Sequence, residues 1–287
     1  MMNAAPQISC EFFPPKTDEG AERLRTTWQA LKAIDPAYFS VTYGAGGSTQ
    51  ERSFATVSEI QRDSCVPAAP HLSCIGSTRE HIRAILNDYK AQGIRRIVAL
   101  RGDLPSGMRD PGELRYANEL VEFIRAETDD WFHIEVAAYP EFHPQAASAT
   151  ADMEAFQRKV EAGADGAITQ YFYNVDSYLR FMNDCLDRGI HIPIVPGIMP
   201  ITNHTQLARF SDACGAEIPR WLRKRLEAFG DDMDGLRSFG LDVVGELCQQ
   251  LIEAGAPGLH FYSMNQIEPT LSLWRGLSQH LRADIEL

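Results

Sequence analysis

Glu11 lies between apolar residues and a rigid turn, in Ile8-Ser9-Cys10-Glu11-Phe12-Phe13-Pro14-Pro15-Lys16. If this segment is a strand, alternation puts Glu11 on the same side as Ser9 and opposite Cys10 and Phe12. An inward, partly buried carboxyl should have a raised pKa and suit general acid catalysis, whereas a structural ion pair with a Lys or Arg is an equally weighted reading. Further along, Leu100-Arg101-Gly102-Asp103 brings a guanidinium and a carboxylate within three residues. Arg101 suits an anion or a planar ring, and Asp103 can accept hydrogen bonds from a heterocycle's amino groups; a local pair closing a loop is the plainer alternative. Gln170 can both donate to and accept from a ring edge, and Tyr139 and His143 can flank an aromatic group. The glycine-rich Tyr43-Gly44-Ala45-Gly46-Gly47-Ser48 matches neither phosphate-binding fingerprint in full and reads as a tight turn. No Cys or His pair has ligand spacing, so no metal site is expected.

These residues follow one another at regular positions. Eight short apolar runs, at 8–12, 38–42, 71–75, 96–100, 133–138, 166–170, 192–195 and 258–262, alternate with helix-like stretches across 287 residues. Such alternation predicts parallel strands with right-handed crossovers, an α/β fold of the (β/α)8 TIM-barrel type in a single domain, 1–287. Four similar junctions, with glycine at 93, 163, 189 and 255, fit left-handed residues closing a helix before a strand. In a barrel, residues past the carboxyl ends of the strands converge on one mouth, where Glu11, Arg101, Asp103, Tyr139 and Gln170 would meet. The stretch between strands seven and eight is about twice as long as the other crossovers and has room for extra helices at 205–214 and 220–229, before a regular helix at 236–254. It can serve as a lid, thicken the wall or make an oligomer contact.

Composition narrows the function. With 27 Lys and Arg against 39 Asp and Glu, the formal charge is −12, which disfavours nucleic acid as a partner. No apolar stretch nears the roughly 20 residues of a membrane span. Residues 1–7 carry neither a basic start nor an apolar h-region, so a cytoplasmic location is expected. The six cysteines form no close pair and read mainly as small apolar fillers.

Taken in order, segments 10–16, 40–48, 71–76, 100–103, 137–144, 168–173, 196–200 and 259–265 resemble methylenetetrahydrofolate reductase, in its short bacterial form, over essentially the whole chain. The resemblance implies an FAD-dependent barrel that uses NADH or NADPH to reduce 5,10-methylenetetrahydrofolate to 5-methyltetrahydrofolate for methionine synthesis. It implies a ping-pong reaction, in which nicotinamide reduces the flavin and leaves before folate takes the same face. By the same resemblance Glu11 is the general acid that opens the folate imidazolidine ring, Asp103 is catalytic and touches both flavin and pterin, and Gln170 binds the pterin. Thr42, His71, Arg101, Gly102, Asp103, Tyr116, Ala117, Tyr139, His143, Asp152 and Lys159 fall at FAD contacts, with Lys159 and Arg101 facing its diphosphate arm. Gln206 and Phe210 fall at folate contacts, and Gln266 replaces an Arg expected to hold the folate glutamate tail. A homo-oligomer is implied as well. A flavin-free lyase or aldolase with Arg101 on a sugar phosphate, and a silent folate-binding subunit, stand as alternatives.

Overall fold

The apolar runs fold into parallel strands joined by helices in a computed structural model that describes residues 6–43, 47–103 and 112–283. Six strands come first: β1 (Gln7–Phe12), β2 (Tyr38–Val41), β3 (Ala68–Ser73), β4 (Arg96–Leu100), β5 (His133–Ala138) and β6 (Gly166–Thr169). The seventh run is split into β7 (Ile194–Val195) and β8 (Gly197–Ile198), and β9 (Gly258–Tyr262) follows. The strand order is β7-β6-β5-β4-β3-β2-β1-β9-β8. Since β7 pairs with β6 while β8 pairs with β9, the ring closes through one strand interrupted at Pro196. Proline has no N–H for a ladder. Its carbonyl still accepts from the His260 amide at 3.0 Å, and the Gly197 amide turns instead to the Thr169 hydroxyl at 2.9 Å. The fold is the expected (β/α)8 barrel, with its seventh strand in two pieces.

The strand bounds differ most from expectation at β3 and at the seventh strand. β3 begins at Ala68 rather than at 71, because Pro70 sits inside the strand, in register with Val41. The seventh strand runs to Ile198 rather than ending at 195. The glycines at 93, 163, 189 and 255 all have positive φ, between 72° and 109°, as the helix-to-strand junctions required.

Helices α1 (Asp18–Leu31), α2 (Gly47–Asp63), α3 (Arg79–Ala91), α4 (Ala117–Thr128), α5 (Ala149–Glu161) and α6 (Val175–Asp187) are the first six crossovers. The long stretch after β8 holds α7 (His204–Cys214), α8 (Arg220–Ala228) and α9 (Met233–Glu253), close to the three expected helices. α10 (Glu268–Ala283) follows β9. Thr17, Thr78, Ser148, Asn174 and Asn203 cap their helices by accepting a backbone N–H in the first turn. Among the described residues no helix is long and apolar enough to cross a membrane.

The apolar core divides in two. The large part lies between the sheet and the helices and takes Cys10 and Phe12 from β1. Among the described residues, Tyr38, Ala69, Val98 and Ile168 form a separate small cluster inside the barrel. Buried polar residues take up much of the rest of the inner face: Ser9 and Glu11 on β1, Ser40 on β2, His71 on β3, Glu135 on β5 and His260 on β9. This barrel has a polar axis, where such folds are usually filled by Val, Ile and Leu.

Candidate active site

At the carboxyl ends of the strands a cavity of about 370 Å³ opens, lined by Glu11, Thr42, His71, Gly102, Asp103, Tyr139 and Gln170. These seven came from six different strand ends in the sequence. Tyr43, Gln50, Ser73 and Tyr262 line it too, though nothing in the sequence had singled out their chemistry. Gly44, Ala45 and Gly46 of the expected tight turn lie outside the described residues.

Glu11 points inward with Ser9, as strand alternation required, and is only 8% exposed. Its neighbours are imidazoles rather than the Lys or Arg of a structural ion pair. His71 Nε2 lies 3.3 Å and His260 Nε2 3.6 Å from Glu11 Oε2. Burial pushes this carboxyl up, but the His71 charge and the contacts of both imidazoles outweigh it and bring the pKa down to about 2. This corrects the expectation of a raised pKa. The reversal arises from β3 and β9, which deliver the two rings. His260 is the functional neighbour that sequence reasoning missed.

Arg101 and Asp103 form no ion pair among the described residues. The Arg101 guanidinium donates to Gln145 Oε1 at 2.6 Å and to the Gly102 carbonyl at 3.2 Å, which leaves the exposed Asp103 carboxylate at the cavity rim. Gly102 has φ 80°, and a Cβ there would collide with the Ser73 hydroxyl, so the backbone closes over β3 only as glycine. In the β5 loop, Tyr139 and His143 meet edge to face at 4.7 Å, and the His143 amide donates to Asp152 at 2.9 Å. Burial lowers the His143 pKa. Tyr116 and Ala117 stand at the start of α4, with Tyr116 exposed.

Tyr139 also lines a second cavity of about 680 Å³, with Asp152, Met153, Arg180 and Arg188. Lys159 belongs to the same region. Its ammonium donates to the Ala137 carbonyl at 2.5 Å, and Ala137 lines the first cavity. Burial lowers its pKa to about 8, and the Asp152 charge offsets this only in part. Because the folded pKa lies below the unfolded value of about 10.4, the penalty is full below pH 8 and fades as pH rises toward the unfolded value. Lys159→Met should therefore raise the melting temperature of the ligand-free protein at neutral pH, by a gain of about 1–3 kcal/mol that shrinks toward pH 10. It should also weaken binding of an anionic ligand. Thermal melts across pH would test the first effect, and a gain that does not vary with pH would refute it.

The insert residues gather elsewhere. Gln206 and Gln266 line a cavity of about 430 Å³ between α7, α9 and α10, together with Arg237 and Glu268, and neither lines the mouth cavity. Phe210 stands on α7 at 37% exposure.

This arrangement has named counterparts. The family profile described as methylenetetrahydrofolate reductase matches residues 1–277. The 5,10-methylenetetrahydrofolate reductase of Salmonella typhimurium is 41% identical over 266 residues, covering 93% of this chain and 88% of that protein. The Escherichia coli enzyme of the same name is 40% identical over the same length and coverage. Methylenetetrahydrofolate reductase (NADH) 1 of Zea mays is 37% identical over 94% of this chain, which spans about half (48%) of the plant protein. Among solved structures, an uncharacterized Clostridium thermocellum protein that binds two copies of 5-methyl-5,6,7,8-tetrahydrofolic acid superposes with a TM-score of 0.69. At 18% identity, with 98% and 96% of the two chains covered, it shows the shared fold alone. With the profile spanning nearly every strand end that lines the cavity, the chain belongs to the methylenetetrahydrofolate reductase family.

Proposed function

We propose that this chain reduces 5,10-methylenetetrahydrofolate to 5-methyltetrahydrofolate, with FAD as its resident cofactor and NADH or NADPH as reductant, in a ping-pong cycle. The product would supply methyl groups for methionine synthesis in the cytoplasm, and the working form would be a homo-oligomer. The observation that carries this reading is the convergence of Glu11, Asp103 and Gln170 around one cavity from β1, β4 and β6.

The residues present fit an elongated dianionic flavin. Two cavities share Tyr139; the Lys159 ammonium is bonded to the carbonyl of Ala137, which lines the first, and feels the charge of Asp152, which lines the second. Thr42, His71, Gly102, Asp103 and Tyr139 would hold the ring system, with Arg101, Lys159, His143 and Asp152 along the arm and Tyr116 and Ala117 at the edge. When bound, FAD supplies the two-electron relay between nicotinamide and folate.

The chain's own groups do the rest. Gln170 Oε1 accepts from the Tyr171 amide at 3.0 Å, which fixes the carboxamide and leaves its NH2 to donate to a pterin edge. Glu11, a carboxylate in the ligand-free protein, would take a proton from the neighbouring imidazoles and pass it to the folate ring nitrogen as the imidazolidine opens. Asp103 offers a negative charge to the cationic one-carbon unit that results. Arg101 is not among the residues lining the mouth cavity beside Glu11, where a lyase would need it to hold a sugar phosphate.

The test is direct. Purified protein should carry yellow flavin, oxidise NADH or NADPH with menadione as acceptor, and have its reduced flavin reoxidised by methylenetetrahydrofolate. A protein that retains no flavin and oxidises neither nicotinamide overturns the reading, and reoxidation that ignores folate would leave only a silent binder. Gln266 shares its cavity with Gln206, so Gln266→Arg should lower the folate KM several-fold with kcat unchanged, as an added cation on a carboxylate tail is worth about 1 kcal/mol. Steady-state kinetics would show an unchanged KM if that cavity does not meet the tail.

A further inference from the structure

We propose that His260 is a positioning residue that stores, and passes to Glu11, the proton spent on folate; the role rests on the function proposed above. His260 is fully buried in mid-strand β9. Its Nδ1 is bonded to the Ser9 hydroxyl at 2.7 Å, while Nε2 lies 3.6 Å from Glu11 Oε2. Among the described residues Nε2 has no hydrogen-bond partner, so the ring is fixed on one edge and available on the other. Tyr38 stacks on it at 6.0 Å and Tyr262 meets it edge-on at 5.4 Å, which keeps water from the ring. His71 touches the same carboxylate oxygen but lines the cavity, where a ligand can claim it; His260 does not.

The charges around the axis explain why a proton resides there. β1 presents Glu11, β2 Tyr38, β3 His71, β5 His133 and Glu135, and β9 Tyr262 beside His260. From β4, Arg96 pairs with Glu135 and lies over the Tyr38 ring at 4.6 Å; His133 reaches Glu135 at 3.1 Å. β6, β7 and β8 contribute no titratable side chain. Two carboxylates thus face one guanidinium, and the uncompensated negative charge favours one extra proton on the imidazoles beside Glu11.

The cycle balances. The Nε2–H of the His260 imidazolium breaks as the Glu11 O–H forms, and that O–H breaks as the N–H on the folate ring nitrogen forms, leaving the carboxylate and a neutral ring that keeps its Nδ1–H on Ser9. When product leaves, a hydronium ion from the opened pocket restores the imidazolium through Glu11.

Two measurements test this. In ligand-free protein labelled with 15N-histidine, the resonance missing from His260→Gln should respond to pH in the wild type, and Glu11→Gln should change that response. In stopped flow on the flavin-loaded protein, His260→Gln should slow folate-dependent reoxidation about tenfold or more and flatten its pH profile, with the nicotinamide step unchanged. Ser9→Ala should reproduce part of the loss and Ser9→Thr should restore it. A His260 resonance indifferent to Glu11→Gln, or a wild-type pH profile in His260→Gln, overturns the proposal. Lack of folate reduction in the wild type would instead overturn the proposed function, and the resonance experiment reads the His260 and Glu11 link without it.

Discussion

Glu11→Gln is expected to cut the rate of folate reduction by about 10²–10⁴-fold while nicotinamide still bleaches the flavin at nearly the wild-type rate. The substitution preserves the size of a side chain that is 8% exposed, so the cavity keeps its shape. What disappears is the carboxylate able to carry a proton to where the pterin docks. Only the folate step demands that proton, since ring opening must place it on a departing nitrogen, whereas nicotinamide oxidation needs no acid. The change also strips His71 and His260 of the carboxylate that lies within 3.6 Å of both. Rapid mixing of each substrate with the appropriate redox form separates the two steps. Equal losses in both would show that Glu11 shapes the pocket rather than supplying the proton.

Asp103→Asn is expected to slow folate reduction about 10²-fold and to raise the flavin midpoint potential. The carboxylate stands at the rim of the cavity, free of Arg101, whose guanidinium is held by Gln145. A unit charge about 5 Å from a developing cation is worth roughly 3 kcal/mol at an effective dielectric near 20, which corresponds to about two decades of rate. The same negative charge works against a reduced, anionic ring system, so neutralising it should ease reduction. Anaerobic dye titration reads the potential and single-turnover mixing reads the rate. A potential that does not move would place Asp103 away from the flavin, and an unchanged folate rate would remove it from the reaction.

The barrel itself was legible because its signals are local. Short apolar runs, glycines that demand positive φ, and capping residues such as Thr78 and Asn174 each report on a few neighbours in the chain, and they fixed strand number, helix positions and the insert. Alternation sufficed to aim Glu11 inward. What local pattern could not show was which groups arrive from distant strands. Ser9 and His260 are separated by 251 positions, and in Gly-Leu-His-Phe-Tyr the histidine reads as a lone polar residue in an apolar run. The signal was there in alternation with Tyr262, which puts both side chains on the inner face. The Glu11 pKa was read in the wrong direction for the same reason, since burial is visible from one strand and the compensating imidazoles are not. Proline told a partial story: Pro70 hid the start of β3, and Pro196 divided a strand whose pairing continues on either side. Gln206 and Gln266 needed the packing of three helices before their shared cavity could be seen.

The polar axis leaves the inner sleeve of the barrel with little to contribute to cohesion, and the outer layer between sheet and helices must hold the molecule together almost alone. Swapping ionic groups in a closed interior for well-fitted aliphatic ones is often neutral or stabilising by about 1–4 kcal/mol. An engineer seeking heat resistance would therefore be drawn to Ser9, His260, Glu135 and their companions, and would gain a sturdier protein by dismantling what makes it an enzyme. The retention of so many hydrophilic side chains in a space that hydrocarbon would fill more cheaply is the record of a trade between durability and turnover.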